Sequence, residues 1–121
     1  AFIVKYASDG TERWRRQLGS TIIDLVEGVA INNAGDVVIA GYTPGSLGGP
    51  NNGGWDVFVA AYSSDGRLLW TRQPGTTVDD WTYGVTIEAA AGNVILGCKT
   101  NDNSIGEVAF FTMYSAAKSA L

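Results

Sequence analysis

The chain has 121 residues, of which 45% are hydrophobic and 17% are charged, and its formal net charge at pH 7 is −4. These values are typical of a globular domain that buries a core, and no apolar run reaches the roughly 18 residues that a membrane span needs. The acidic balance argues against a nucleic-acid partner, because phosphates attract a basic surface. One cysteine and no histidine exclude an intramolecular disulfide and give no indication of a zinc site.

Short strands separated by glycine-containing turns are predicted along the whole chain, with little helical periodicity. Residues 37–40 are continuously apolar, which predicts a strand covered on both faces. Two longer loops are predicted at 44–54 and 99–107. The predicted strands, in chain order, are 1–6, 11–18, 28–31, 36–42, 57–62, 67–73, 83–87, 93–98 and a ninth around Phe110.

The sequence repeats itself. Thirty residues beginning at Phe2 align without a gap on thirty beginning at Phe58, and fourteen of these pairs are identical. Repetition with this period is typical of arrays whose units cannot bury their apolar faces alone. Four strands per unit predict an all-β fold of tandem four-stranded antiparallel blades, as in a β-propeller. We therefore expect one propeller segment over 1–121, with copies at 1–56 and 57–108 and the start of a third at 109–121.

Several residues recur at the same place in both copies and are assigned to the structural repeat. Trp14 and Trp70 each follow the turn glycine by four residues, which predicts a packing wedge between neighbouring sheets; an aromatic platform for a sugar or a base is the alternative. Gly28 and Gly84 precede apolar strands, which predicts close backbone approach near the propeller axis. The Asp-Gly turns favour hairpins because both positions tolerate positive φ. The remaining recurring residues are Tyr6, Tyr62, Asp9, Gly10, Asp65 and Gly66.

The second copy carries a spaced pattern of aromatic, turn and glycine residues. It reads F-V-A-A-Y-x-x-D-G-x-L-L-W from Phe58, then Q-x-G-T from Gln73, G-V at Gly84 and G-N-V at Gly92. This pattern resembles the bacterial SBBP β-propeller repeat, a seven-bladed type found chiefly in bacterial, often secreted or surface, proteins. The resemblance covers nearly the whole chain and implies an extracellular, cell-surface or periplasmic location, but no ligand. A weaker similarity runs to quinoprotein propellers.

The expected strands do not close a ring. In the lettering of propeller blades, with strand A innermost, they run C–D, A–B–C–D and A–B–C. Three copies of the chain would approach the strand count of a seven-bladed ring, but each junction would place a C strand beside another C strand. We therefore expect a segment of a longer propeller, whose remaining blades are partners of these, in preference to a short chain that closes by association with other copies.

Propeller ligands usually meet the face that carries the B–C and D–A loops, and the B–C loops differ sharply between the copies. A scaffold that varies one face presents that face to partners. In the second D–A loop, Asp79, Trp81 and Tyr83 form an acidic-aromatic patch that suits a sugar or a cation, the alternative being a solvated loop with partly buried aromatics. The candidate ligand-binding residues are Asn51, Asn52, Trp55, Asp79, Asp80, Trp81, Tyr83, Asn101, Asp102 and Asn103.

Two of these segments have further interpretations. Asp24 and Asp80 recur, which predicts that they brace the turn backbone. Asn101-x-Asn103 with Gly106 partly matches a calcium loop, but Thr112 stands where the bidentate glutamate is needed, so an EF-hand is excluded. Weak Ca²⁺ binding by loop oxygens stays open, and no other metal or cofactor is predicted.

The sequence therefore predicts a non-catalytic binding scaffold that presents its variable loops to a protein or a carbohydrate partner. Without histidine the chain has no Ser–His or Cys–His relay, and adjacent Asp79 and Asp80 would point to opposite faces of a strand. One alternative is a fragment of a propeller enzyme, quinoprotein-like or a hydrolase, with its catalytic residues elsewhere. Another is a structural or adhesive surface repeat.

Overall fold

The computed structural model describes residues 1–102, 104 and 106–115, and all regular secondary structure in them is β-strand. The strands are β1 (Phe2–Tyr6), β2 (Glu12–Gln17), β3 (Leu25–Ile31), β4 (Val37–Thr43), β5 (Asp56–Tyr62), β6 (Leu68–Arg72), β7 (Asp80–Ile87), β8 (Asn93–Asp102) and β9 (Gly106–Ser115).

The strands form three antiparallel sheets of neighbouring strands: an N-terminal sheet (β1–β2), a middle sheet (β3–β6) and a C-terminal sheet (β7–β9). The all-β class and the antiparallel pairing confirm that part of the sequence prediction, and the grouping into two, four and three strands matches the expected strand order. Within the described part of the chain none of the sheets closes on itself.

The middle sheet is covered on both faces, as its apolar central strands predict. Every residue of β5 is buried, and so are six of the seven residues of β4. One face packs on the C-terminal sheet through a cluster that includes Val59, Trp70 and Leu96. The other packs on the N-terminal sheet through a cluster that includes Trp14 and Phe58. The three sheets are thus layers with the middle sheet between the other two.

The spacing between layers is small at one edge and is filled by bulky side chains at the other. At the inner edge, formed by β3 and β7, a Cβ added to Gly28 would lie 3.3 Å from the backbone N of Val85 and 3.4 Å from the Cα of Gly84. The predicted close approach is therefore confirmed for Gly28, whereas a Cβ added to Gly84 would meet no atom within 4 Å. On the outer strands β2 and β6, Trp14 and Trp70 are 7% and 5% exposed and fill the space between sheets. This confirms their packing role.

The four hairpin turns between β1 and β8 each contain a glycine with positive φ. In three of them, a backbone N–H of the turn glycine donates to the carbonyl three residues earlier, and the glycine has φ near +87°. The turn between β7 and β8 has one more residue, and Gly92 donates to the carbonyl of Glu88. The expectation that aspartate shares the positive φ is wrong, because only glycines adopt it among the described residues. Asp9 and Asp65 instead accept hydrogen bonds from Thr11 and Ser63.

Three predicted boundaries need correction. Strands β3 and β7 begin at Leu25 and Asp80, earlier than predicted, because a β-bulge at Glu27 and at Tyr83 interrupts the alternation on which the prediction relied. The predicted loop over 99–107 is wrong: β8 continues to Asp102, and β9 begins at Gly106.

Candidate functional site at the loop end

The connections between strands lie at two ends of the sheets. The four hairpin turns occupy the turn end, and the connections 18–24, 44–55 and 73–79 occupy the opposite, loop end. Antiparallel pairing within each sheet requires this alternation. The turns repeat one another, whereas the loops differ in length and composition, so a partner-specific surface is to be sought at the loop end.

A repeated aspartate holds each of the two connections that lead into an inner strand. Asp24 accepts hydrogen bonds from the backbone N and Oγ of Ser20 at 2.7 and 3.0 Å. Asp80 accepts from the backbone N and Oγ1 of Thr76 at 2.6 and 3.1 Å. The predicted bracing role is thus confirmed. Asp80 is 0% exposed, and its carboxylate is already occupied by the loop, so this arrangement leaves it no surface for a ligand.

The long loop 44–54 is held against the middle sheet. The side-chain oxygen of Gln73 accepts from the backbone N of Leu47 and Gly48 at 2.7 and 3.1 Å. Its amide nitrogen donates to the carbonyl of Gly45 at 2.8 Å and to Oδ2 of buried Asp56 at 3.1 Å. This loop is therefore a fixed part of the surface.

Candidate residues Asn51 and Asn52 belong to this fixed loop. The backbone N of Asn52 donates to Oδ2 of Asp56 at 2.7 Å, and Nδ2 of Asn51 donates to the carbonyl of Gly54 at 3.2 Å. Both asparagines thus contribute to the loop's own structure, and the Asn52 residue stays exposed.

Asp79 joins the long loop to the C-terminal sheet. Its Oδ1 accepts from the backbone N of Trp55 at 3.0 Å, and its carbonyl accepts from the backbone N of Asn101 at 2.9 Å. The backbone N of Asp80 donates to the carbonyl of Trp55 at 2.6 Å. This network fixes the backbone of Trp55 against the start of β7.

Four aromatic rings lie near the loop end of the inner strands, in two separate pairs. The rings of Tyr42 and Trp55 meet edge to face, with centroids 5.4 Å apart. Nζ of Lys99 lies 5.1 Å from the ring centroid of Trp81 and 6.0 Å from that of Tyr83. We call the two pairs together, Tyr42 with Trp55 and Trp81 with Tyr83, the aromatic cluster.

The carboxylate of Glu27 lies beside the phenol of Tyr42. Burial, and then a hydrogen bond with Glu27, raise the pKa of Tyr42 above its usual value, and the nearby Tyr83 raises it further. The phenol of Tyr42 therefore stays protonated throughout the neutral range. Tyr83 is 67% exposed, while the other three rings are half-buried, so each pair offers ring surface beside one charged side chain.

The predicted acidic-aromatic patch divides in the structure. The Asp79 and Asp80 carboxylates bind the loops, whereas Trp81 and Tyr83 contact Lys99. Sequence reasoning missed Glu27, Tyr42 and Lys99. The strand pairs Leu25–Tyr42 and Trp81–Lys99 occupy equivalent positions in the two copies, and comparing those positions would have drawn attention to them.

The structure describes only part of the predicted oxygen-rich segment 101–103. Asn101 and Asp102 lie in β8, paired with Glu107 and Gly106 of β9, and Asn103 lies outside the described residues. In the described part of the chain, no three acidic, cysteine or histidine side chains are grouped so as to hold a metal ion. Nor does a helix there have the length and apolarity to cross a membrane.

Comparison with known proteins gives a limited result. No family model matches the chain. It is similar to the regulatory protein FlaEY of Caulobacter vibrioides (strain ATCC 19089 / CIP 103742 / CB 15), with 27% identity over 113 residues. The match covers 87% of this chain but only 12% of the length of FlaEY. The chain is therefore similar to a small part of a much longer regulatory protein.

Proposed function

We propose that the chain is a segment of a β-propeller of the SBBP-like type and serves as a non-catalytic binding scaffold. The aromatic cluster at the loop end is its contact surface, and a carbohydrate is the partner that suits this surface best. The observation that carries the proposal is the presence of two aromatic pairs near the loop end, one beside the Glu27 carboxylate and the other beside the Lys99 ammonium group.

The taper between the sheets supports the propeller part of the proposal. Stacked parallel layers would need side chains of similar size across the whole interface. Between the middle and C-terminal sheets, glycine separates the inner strands, whereas Trp70 fills the space at the outer strand. Sheets that approach at one edge and diverge at the other are arranged radially, as blades are.

The chemistry of the cluster supports a carbohydrate partner. Aromatic rings offer flat apolar surface to the C–H faces of a sugar, and the charged groups of Glu27 and Lys99 offer an acceptor and donors to its hydroxyls. Because Gln73 and Asp79 already fix the long loop, binding at Trp55 costs little ordering entropy.

The similarity to FlaEY favours a second candidate function. In that case the chain is a module of a larger regulatory protein, and the same surface binds a protein partner. Half-exposed tryptophan and tyrosine are also typical of protein interfaces.

A glycan array distinguishes these possibilities. We expect the chain to bind at least one class of glycan and the Trp81→Ala variant to lose about tenfold or more in affinity, as loss of a central aromatic anchor does. Tyr6→Ala is the matched control, because Tyr6 is 58% exposed on the N-terminal sheet, outside the cluster. Equal losses in both variants, or no glycan bound, would contradict the carbohydrate proposal; capture of a protein that depends on Trp81 would favour the second candidate.

A further inference from the structure

The first strand of the chain lacks a neighbour that its repeat equivalent has. Strand β5, which aligns with β1 in the repeat, pairs with β6 on one side and with β4 on the other. Strand β1 pairs with β2 alone in the described structure. One edge of β1 therefore presents backbone groups without a partner strand.

The register identifies these backbone groups. The N–H of Leu18 donates to the carbonyl of Ala1 at 3.1 Å, which makes that pair hydrogen-bonded. Because hydrogen-bonded and non-hydrogen-bonded pairs alternate along an antiparallel ladder, the next pair, Phe2 with Gln17, is non-hydrogen-bonded, and so is Val4 with Arg15. The N–H and C=O groups of Phe2 and Val4 thus face the free edge.

An exposed apolar surface lies beside this edge. Val29 and Ile31 on β3 are 65% and 59% exposed, and together with Ile3, Val4 and Trp14 they line a groove between β1 and β3. Their repeat equivalents, Val85 and Ile87 on β7, are partly buried against the cluster that contains Val38 and Ala40 of β4. The difference arises because β4 covers β7, whereas no strand beside β1 covers β3.

We propose that this groove binds a β-hairpin of the β3–β4 type from a further unit of the same repeat. One strand of the hairpin pairs antiparallel with the free edge of β1. Its small apolar residues, equivalent to Val38 and Ala40, then cover Val29 and Ile31 as β4 covers β7. Strand addition of this kind combines main-chain hydrogen bonds with side-chain pockets on alternate residues.

The interface between the middle and C-terminal sheets supports this occupant. It shows the same two positions of the repeat already covered by a strand with these side chains. The inference rests on the propeller-segment part of the proposed function and on the unpaired edge, and makes no use of the aromatic cluster. It therefore concerns a second surface, distinct from the one proposed for carbohydrate.

A labelled synthetic peptide with the sequence of residues 24–43 of this chain is the probe. We expect saturable binding to the intact chain and protection of the Val4 amide from hydrogen exchange. Val4→Pro removes the outward N–H and should weaken binding about tenfold or more, since proline is tolerated on the open side of an edge strand but cannot donate. A Val29→Lys, Ile31→Lys double variant should weaken it similarly without a change in the backbone of β1.

Thr86→Lys is the matched control, because Thr86 is an exposed residue of the other inner strand. Absence of binding at about 1 mM peptide, or equal binding of a scrambled peptide, would overturn the proposal. So would self-association of the intact chain that Val4→Pro abolishes, because β4 of a second copy is already paired with β5 and the occupant of the groove would then be a different strand. Glycan binding that persists in Val4→Pro shows that a failure here leaves the carbohydrate proposal standing.

Discussion

The two faces of the middle sheet are attached to their neighbours in different ways. The face toward the C-terminal sheet makes an apolar contact that extends from Trp70 on the outer strand to Val85 on the inner strand. The face toward the N-terminal sheet has apolar contact mainly around Trp14, whose ring lies 6.0 Å from that of Tyr62.

Hydrogen bonds supplement the smaller apolar contact between the middle and N-terminal sheets. Trp14 Nε1 and Lys5 Nζ donate to the carbonyl of Ser64 at 2.9 and 3.1 Å, and Nε of Arg16 donates to the carbonyl of Gly66 at 2.6 Å. A two-stranded sheet offers too little apolar area to hold itself in place. Directed hydrogen bonds to the carbonyls of a neighbouring turn stabilise its position, so one repeat sequence supports two modes of attachment.

The largest effect is expected from removing the two wedge tryptophans. Trp70→Ala and Trp14→Ala should each cost about 3–5 kcal/mol, which is usual for truncation of a buried tryptophan. Trp70→Ala should lower the free energy of unfolding of the whole described fold, whereas Trp14→Ala should release β1 and β2 and leave β3 to β9 folded. Denaturant titration combined with hydrogen exchange checks this; faster exchange in β7–β8 of Trp14→Ala would show that the two attachments are not separate.

A smaller difference is expected between the two inner-edge glycines. Gly28→Val should lower the free energy of unfolding by about 1–3 kcal/mol, because its side chain would press on Val85. Gly84→Val should change it by at most about 0.5 kcal/mol, since a Cβ there meets no atom within 4 Å. Thiol labelling of Cys98 is a second readout, because a reagent reaches this buried thiol only when the interface opens. Burial also raises the pKa of the thiol, which keeps it unreactive in the closed interface. Equal effects of the two variants would contradict the observed close approach.

The smallest effect is expected from one polar donor. Lys5→Met should weaken the attachment of the N-terminal sheet by about 1 kcal/mol, because it removes hydrogen bonds of 2.8 Å to the carbonyl of Gly35 and 3.1 Å to that of Ser64. Hydrogen exchange of β1–β2 amides measures it. Arg13→Met, at an exposed residue of β2, is the control and should change nothing; an equal effect there would point to net charge as the cause.

Much of the fold could be predicted because the two copies of the repeat can be compared with each other. The strand grouping, the packing tryptophans and the bracing role of Asp24 and Asp80 all follow from recurrence at an offset of 56. The candidate site was harder to predict from the sequence, because its contacts depend on differences between the copies. Lys99 reaches Trp81 only through strand pairing, and Gln73 holds a loop more than twenty residues away in sequence.

The β-bulge at Glu27 and Tyr83 has a consequence for how such an array could diversify. A bulged residue lies outside the regular one-to-one pairing of the ladder, so its side chain is under weak constraint from strand pairing. The two copies already carry an anion at this place in one and a phenol in the other. Each added unit would contribute one such position at the same edge, so specificity could change by single substitutions while the architecture that displays them stays the same.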